Sequence, residues 1–201
     1  MPKKTFVIGL TGSIGMGKSE TAKMFASQGC LSFDADAVVH ALYASGGAAV
    51  PLVAKVFPAG INNGQIDREK LSSLLKGEPA AFAKLENIVH PLLRRELENF
   101  LAEANRNGVP FAVINIPLLF ETGMDRYADA VVVVSAPQSV QRERVLARPG
   151  MTEEKFRQIL ARQSSDAEKR KCADFVIDTG KGFEHAFAEI EAILNTLRGR
   201  H

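Results

Sequence analysis

The sequence predicts an α/β domain carrying an inserted helical piece, on three features. The apolar run Phe6-Val7-Ile8-Gly9-Leu10 passes through a glycine-rich loop into a helix-forming stretch from Glu20 to Ala26. Two later apolar runs, residues 111–116 and the β-branched residues 130–135, suit parallel strands buried on both faces, which read as continuous rather than alternating apolar segments. Residues 44–107 carry helical spacing and no convincing strand. A chain of 201 residues is long enough to bury a substantial core in one folding unit of this kind.

The loop is Gly12-Ser13-Ile14-Gly15-Met16-Gly17-Lys18-Ser19, which fits G-x-x-x-x-G-K-[ST], the P-loop. Glycines let successive backbone N–H groups converge on one concave anion site. The helix that follows adds its positive N-terminal end. Lys18 then reaches the β- and γ-phosphates of a nucleotide, and the Ser19 hydroxyl is placed to ligand Mg²⁺. Three glycines and a lysine are a poor choice for a turn that binds nothing, so the loop reads as a nucleotide-phosphate site.

Gly29 closes this first unit, and Cys30-Leu31-Ser32-Phe33 reads as a short second strand, expected to neighbour the P-loop strand, ending in Asp34-Ala35-Asp36. Ligands in open α/β sheets collect beyond the carboxyl ends of the strands, so both aspartates are candidates for chemistry. Asp36 is equally suited to cap a helix over residues 37–43. In the insertion, Phe82, Leu85, Ile88, Val89, Leu92, Leu93, Leu97 and Leu101 recur three or four apart, predicting a long helix over roughly residues 80–105. His90-Pro91-Leu92-Leu93-Arg94-Arg95 lies within it; its histidine and arginines are either surface groups or an acceptor-binding set.

The strand at 111–116 ends in Pro117-Leu118-Leu119-Phe120-Glu121, and Asn115 stands where many P-loop enzymes carry a magnesium-binding aspartate. After the strand at 130–135 a helix starts near Gln138. Residues 142–171 hold nine basic residues against five acids. Arg144 and Arg148 share a helical face just before the Pro149-Gly150 bend. They belong either to a solvated amphipathic helix or to a lid whose guanidinium forks clamp transferring phosphates, and the P-loop in the same chain favours the lid. Thr152 reads as the N-cap of a helix running toward Gln163, residues 174–178 as a last short strand, and the chain after it as a final amphipathic helix.

A net charge of +2 gives no general reason to invoke nucleic acid. No apolar run approaches the ~18 residues of a membrane span. Cys30 and Cys172 lack a C-x-x-C partner and none of the four histidines forms a metal-ligand pair, so the thiols fit a reduced, cytoplasmic setting. The pattern assigns no oligomeric state.

Taken in order, Leu10-Thr11-Gly12 with the P-loop, Phe33-Asp34-Ala35-Asp36, Ile88-Val89-His90-Pro91-Leu92, Pro117-Leu118-Leu119-Phe120-Glu121, Gln141-Arg142-Glu143-Arg144, Gln163 and Ala173-Asp174-Phe175-Val176-Ile177-Asp178 resemble the dephospho-CoA kinases, P-loop kinases related to the nucleoside monophosphate kinases. The resemblance spans nearly the whole chain. It implies transfer of the ATP γ-phosphate to the 3′-hydroxyl of dephospho-CoA, the last step of coenzyme A synthesis, with Mg²⁺. It also implies a three-layer α/β/α core with a five-stranded parallel sheet (residues 1–43, 108–141 and 172–201), a helical CoA-substrate domain (44–107) and a small helical lid (142–171). On it, Asp34, Lys18 and Arg144 are expected to be catalytic. Gly12, Ser13, Ile14, Gly15, Met16, Gly17, Lys18, Ser19, Glu20 and Arg148 are expected at ATP, Ser19 at the metal, and Thr11, Asp36, His90, Arg94, Leu118 and Glu121 at the acceptor. Glu20 and Asn115 depart from the family pattern, which usually has a hydroxyl residue and an acid there. Competing readings are another P-loop kinase acting on a nucleotide or sugar acid, and a GTP-driven switch; the switch requires an Asn-Lys-x-Asp segment, which the chain lacks.

Overall fold

The computed structural model describes residues 4–200. Its centre is a five-stranded parallel sheet in the order β2-β5-β1-β6-β7, formed by β1 (Phe6–Thr11), β2 (Leu31–Asp34), β5 (Phe111–Asn115), β6 (Ala130–Ser135) and β7 (Phe175–Asp178). In register, Ile8 faces Val113 on one side and Ala130 on the other, and Val134 faces Ile177. Every residue of β5 and β6 is buried, as expected of strands covered on both faces, whereas β2 at the edge buries only Phe33. The core beside the sheet joins Ile8, Leu10, Val113, Val132 and Ile177 to Phe25 of α1 (Lys18–Ser27) and to Ile190, Leu194 and Leu197 of α9 (Phe183–Arg200). Full burial of each such side chain contributes about 1.5–3 kcal/mol.

The chain divides into two compact units, one running to Phe33 and resuming at Glu103, the other Asp34–Ala102. The second contains α2 (Ala35–Tyr43), α3 (Val50–Val56), a β3–β4 hairpin (Ile61–Asn62 with Gln65–Ile66), α4 (Arg68–Leu75) and most of α5 (Pro79–Arg106). Leu42, Val53, Phe57, Ile66, Leu71, Leu85 and Val89 form its core.

Four expectations change. The hairpin occupies a region in which no strand was expected; Asn63 at φ 48° and Gly64 at φ 74° supply the two left-handed turn residues that an Asn-Gly hairpin requires. Helix α2 begins at Ala35 rather than Ala37, and Asp34, not Asp36, is its cap, accepting from the backbone N–H of Asp36 (2.9 Å) and of Ala37 (3.1 Å). Strand β2 does not neighbour β1, because β5 lies between them. The helix capped by Thr152, α7 (Glu153–Leu160), stops short of Gln163, and a further helix, α8 (Asp166–Lys171), starts from a Ser165–Glu168 capping box. The remaining strands and the long and terminal helices lie within a few residues of their expected positions, with α6 at Gln138–Leu146.

Candidate active site

The P-loop joins the carboxyl end of β1 to the N-terminus of α1. Gly15 and Gly17 sit at φ 79° and 87°, a region closed to most side chains, and Gly17 is the N-cap of α1. Gly12 is required for a different reason: a Cβ there would collide with the side chain and carbonyl of Val134 on β6. The loop is therefore seated tightly on the neighbouring strand. Ser13 and Met16 are buried, and Met16 fills the core beneath the loop, its sulfur accepting from the N–H of Ala136 at 3.1 Å.

Side chains from three other segments grip the loop backbone. Gln141 of α6, 5 % exposed, donates to the Ile14 carbonyl (2.8 Å), and Gln163 accepts from the Ile14 N–H (3.1 Å). Thr179, just past β7, donates to the Met16 carbonyl at 2.8 Å. Lys18 donates to the side-chain oxygen of the buried Asn115 at the end of β5, at 2.7 Å. Asn115 thus occupies the position where an acid was expected and presents a neutral acceptor to the loop lysine. Ser19 and Glu20 are exposed at the start of α1, and Glu20 pairs with Lys23 at 2.7 Å.

A cavity of about 240 Å³ opens beside the loop, walled by Gly15, Gly17, Met24, Arg144, Thr179 and Phe183 among others, with Arg148 and Glu20 also at its edge. Arg144 of α6 docks on one residue, its Nη1 donating to Thr179 Oγ1 (3.0 Å) and its Nη2 to the Thr179 carbonyl (2.8 Å). The structure therefore brings the two arginines and the P-loop glycines to a single cavity. Thr179, Met24 and Phe183 are among the lining residues that the sequence did not single out. Phe183 carried the one available signal, a large apolar residue at the start of an amphipathic helix, and it is 67 % exposed.

The segment after β5 is held internally. Thr11 is fully buried and donates to the Pro117 carbonyl at 3.1 Å. Lys169 of α8, 1 % exposed, reaches the same carbonyl (3.2 Å) and pairs with Glu121 at 2.8 Å. Glu121 also accepts from the Ser164 N–H at 2.7 Å. Burial pushes the Glu121 carboxyl up, but the Lys169 ammonium and the Ser164 N–H outweigh it and hold the group below the usual carboxylate range. Leu118 is half-buried, its carbonyl accepting from both the N–H and the hydroxyl of Thr122.

In the second unit, Asp34 is fixed by its capping bonds and Asp36 is exposed in the first turn of α2. His90 and Arg94 stand one turn apart on α5, around Pro91. His90 lies 4.0 Å from Glu86, and the Arg94 Nε is buried without a hydrogen-bond partner. Among the described residues no three His, Cys, Asp or Glu side chains cluster as a metal site, and no helix is long and apolar enough to cross a membrane. Cys30 and Cys172 are unpaired, and burial pushes the Cys30 thiol up to about 11 against a smaller opposing effect of Arg198.

A family model described as dephospho-CoA kinase matches residues 6–184, a span that includes every candidate site residue named from the sequence. The chain belongs to the dephospho-CoA kinase family. It is 55 % identical to the dephospho-CoA kinase of Mesorhizobium japonicum over 96 % of this chain and 98 % of that one, and 56 % identical to that of Agrobacterium fabrum over 95 % and 97 %. Among solved structures, that of the dephospho-CoA kinase from Campylobacter jejuni superposes with a TM-score of 0.73 at 25 % identity, covering 97 % of this chain and 98 % of that one. A Thermus thermophilus protein superposes with a TM-score of 0.85 at 31 % identity, covering 97 % and 99 %. Shikimate kinase from Acinetobacter baumannii, at 17 % identity and a TM-score of 0.55, shares the fold alone. This dephospho-CoA kinase family member is thus an ATP-dependent phosphotransferase with an alcohol acceptor.

Proposed function

We propose that the chain transfers the γ-phosphate of ATP to the 3′-hydroxyl of dephospho-CoA, giving coenzyme A and ADP, with the residues described above in the following roles. The observation that carries the reading is a P-loop shaped for phosphate, adjoining a cavity edged by Arg144 and Arg148, in a chain of this family.

ATP phosphates lie in the loop from Gly12 to Ser19, received by backbone N–H groups and by Lys18, which exchanges its Asn115 partner for phosphate oxygen. The largely apolar cavity takes the nucleoside end, and the guanidiniums of Arg144 and Arg148 face the phosphates. An exposed serine hydroxyl together with phosphate oxygens and water is a donor set that suits Mg²⁺, which seldom uses an all-protein cage, so Ser19 would hold it. When bound, the ion supplies neutralisation of phosphate charge.

Asp34 is the general base. The ribose 3′-oxygen forms its bond to the γ-phosphorus, the bond from that phosphorus to the bridging oxygen of ADP breaks, and the hydroxyl proton passes to the Asp34 carboxylate. Asp36 is the rival, since both aspartates lie at the β2–α2 junction. His90 and Arg94 bind the acceptor; the unpartnered, buried Arg94 Nε supports a site for an anionic group such as the pyrophosphate of dephospho-CoA. Thr11, Leu118 and Glu121 serve that side by holding the turn after β5. Residues 44–107 form the acceptor domain and 142–171 the lid over a core of 1–43, 108–141 and 172–201. The free cysteines suit a cytoplasmic enzyme.

Incubation with ATP, Mg²⁺ and dephospho-CoA, read by mass spectrometry, should yield coenzyme A and ADP. Phosphorylation of a nucleotide, shikimate or gluconate in place of dephospho-CoA would overturn the acceptor assignment.

A further inference from the structure

We propose that Thr179 is a positioning residue for the reaction, a hydroxyl bridge that sets the Arg144 guanidinium at a fixed distance from the P-loop. This rests on the reading of Arg144 as a nucleotide contact.

A threonine hydroxyl carries one proton and two lone pairs, so it can donate once while accepting elsewhere. Thr179 Oγ1 donates to the Met16 carbonyl at 2.8 Å, with the Ser135 carbonyl a more distant acceptor at 3.3 Å. The same oxygen accepts from Arg144 Nη1 at 3.0 Å, and the Thr179 carbonyl accepts from Nη2 at 2.8 Å. Two donors of the guanidinium fork are therefore seated on one residue, which fixes its plane as well as its position. The loop also packs on Thr179 directly, since a Cβ placed on Gly17 would stand 3.2 Å from its Cβ, Cγ2 and Oγ1. Thr179 is only 8 % exposed, and it lines the same cavity as Gly15, Gly17, Arg144 and Arg148. Arginine side chains are rotamer-rich, and the entropy lost in ordering one on substrate opposes binding. A guanidinium already ordered against the P-loop wall loses less. The threonine therefore acts through Arg144; a side chain of its shape without the hydroxyl would keep the carbonyl contact to Nη2 but lose the link from Nη1 to the loop backbone.

The test is a kinetic double-mutant cycle with Thr179→Val, Thr179→Ser, Arg144→Ala and Thr179→Val/Arg144→Ala, varying ATP and dephospho-CoA separately. Valine keeps the shape and removes the bridge, and hydrogen bonds to charged groups make a loss of roughly ten-fold or more in kcat/KM for ATP the expected result. The KM for dephospho-CoA should stay near the wild-type value, and Thr179→Ser should recover most of the loss. In the Arg144→Ala background the valine substitution should cost less than about two-fold, because residues acting as a unit are non-additive. Equal losses in both backgrounds, a serine variant as poor as valine, or a valine variant with wild-type kinetics would each overturn the bridge. A general weakening of the fold would appear in both backgrounds and so falls under the first of these. If Arg144→Ala itself leaves ATP kinetics unchanged, the nucleotide reading of Arg144 fails first and the bridge fails with it.

Discussion

Lys18 and Asn115 show how one residue can be prepared for a ligand. The ammonium is held 2.7 Å from a buried neutral amide oxygen, which orients it without cancelling its charge. A carboxylate in that place would compete with phosphate for the same cation. Lys18→Ala should cut kcat by ~10²-fold or more, since phosphoryl transfer depends on electrostatic clamping, while the melting temperature stays near that of the wild type because the side chain takes no part in the packed core. Near-normal turnover would remove the P-loop from the mechanism. Asp34 invites a sharper version of the same experiment. Its carboxylate caps α2, and asparagine caps a helix about as well as aspartate. Asp34→Asn therefore separates charge from cap: kcat should fall severely with both KM values and the stability retained. A live Asp34→Asn beside a dead Asp36→Asn would move the base to Asp36.

At the scale of elements, Glu121 and Lys169 tie α8 to the end of β5, which was the place assigned to acceptor binding from the motif alone. The Lys169 side chain is wholly buried and the Glu121 side chain 18 % exposed. Removing one partner leaves a charge stranded, and the partial exposure of Glu121 points to the low end of the usual cost, about 3 kcal/mol. Glu121→Gln should thus lower the melting temperature by roughly 6–12 °C. Because the folded carboxyl lies below its ordinary 4.5, its contribution is present above that value and is lost as pH falls through the folded one. Urea denaturation across acid pH should therefore show a shallower loss of stability in the variant. A variant as stable and as acid-sensitive as wild type would contradict the pairing. Strands β1, β5 and β6 were legible because a buried parallel strand must be continuously apolar, and α5 because its apolar spacing persists for many turns. The β3–β4 hairpin was hidden by its two-residue strands, although Asn63-Gly64 was a turn signal in plain view. Helix α8 was hidden because only six residues, mostly charged, make it up. The Thr179–Arg144 bridge was not legible at all, since 35 positions separate the partners and nothing local marks them.

For the molecule as a whole, two compact units with separate cores should respond separately to the two substrates. The P-loop belongs to the unit with the sheet, and His90 and Arg94 belong to Asp34–Ala102. A ligand that binds only the native state stabilises it by about 2.7 kcal/mol at a concentration one hundred times its Kd. For a chain of this length that is a rise of roughly 5–10 °C in Tm. ATP without Mg²⁺ turnover, or ADP, should produce such a rise in the wild type and in Arg94→Ala, and a much smaller one in Lys18→Ala. Dephospho-CoA should produce it in the wild type and in Lys18→Ala but not in Arg94→Ala, where the anion loses its guanidinium partner. Arg94→Ala also removes a buried, unpartnered Nε, so its ligand-free Tm should not fall by the amount expected for a broken hydrogen bond. If instead Arg94→Ala abolishes the ATP shift and spares that of dephospho-CoA, the acceptor has been assigned to the wrong unit.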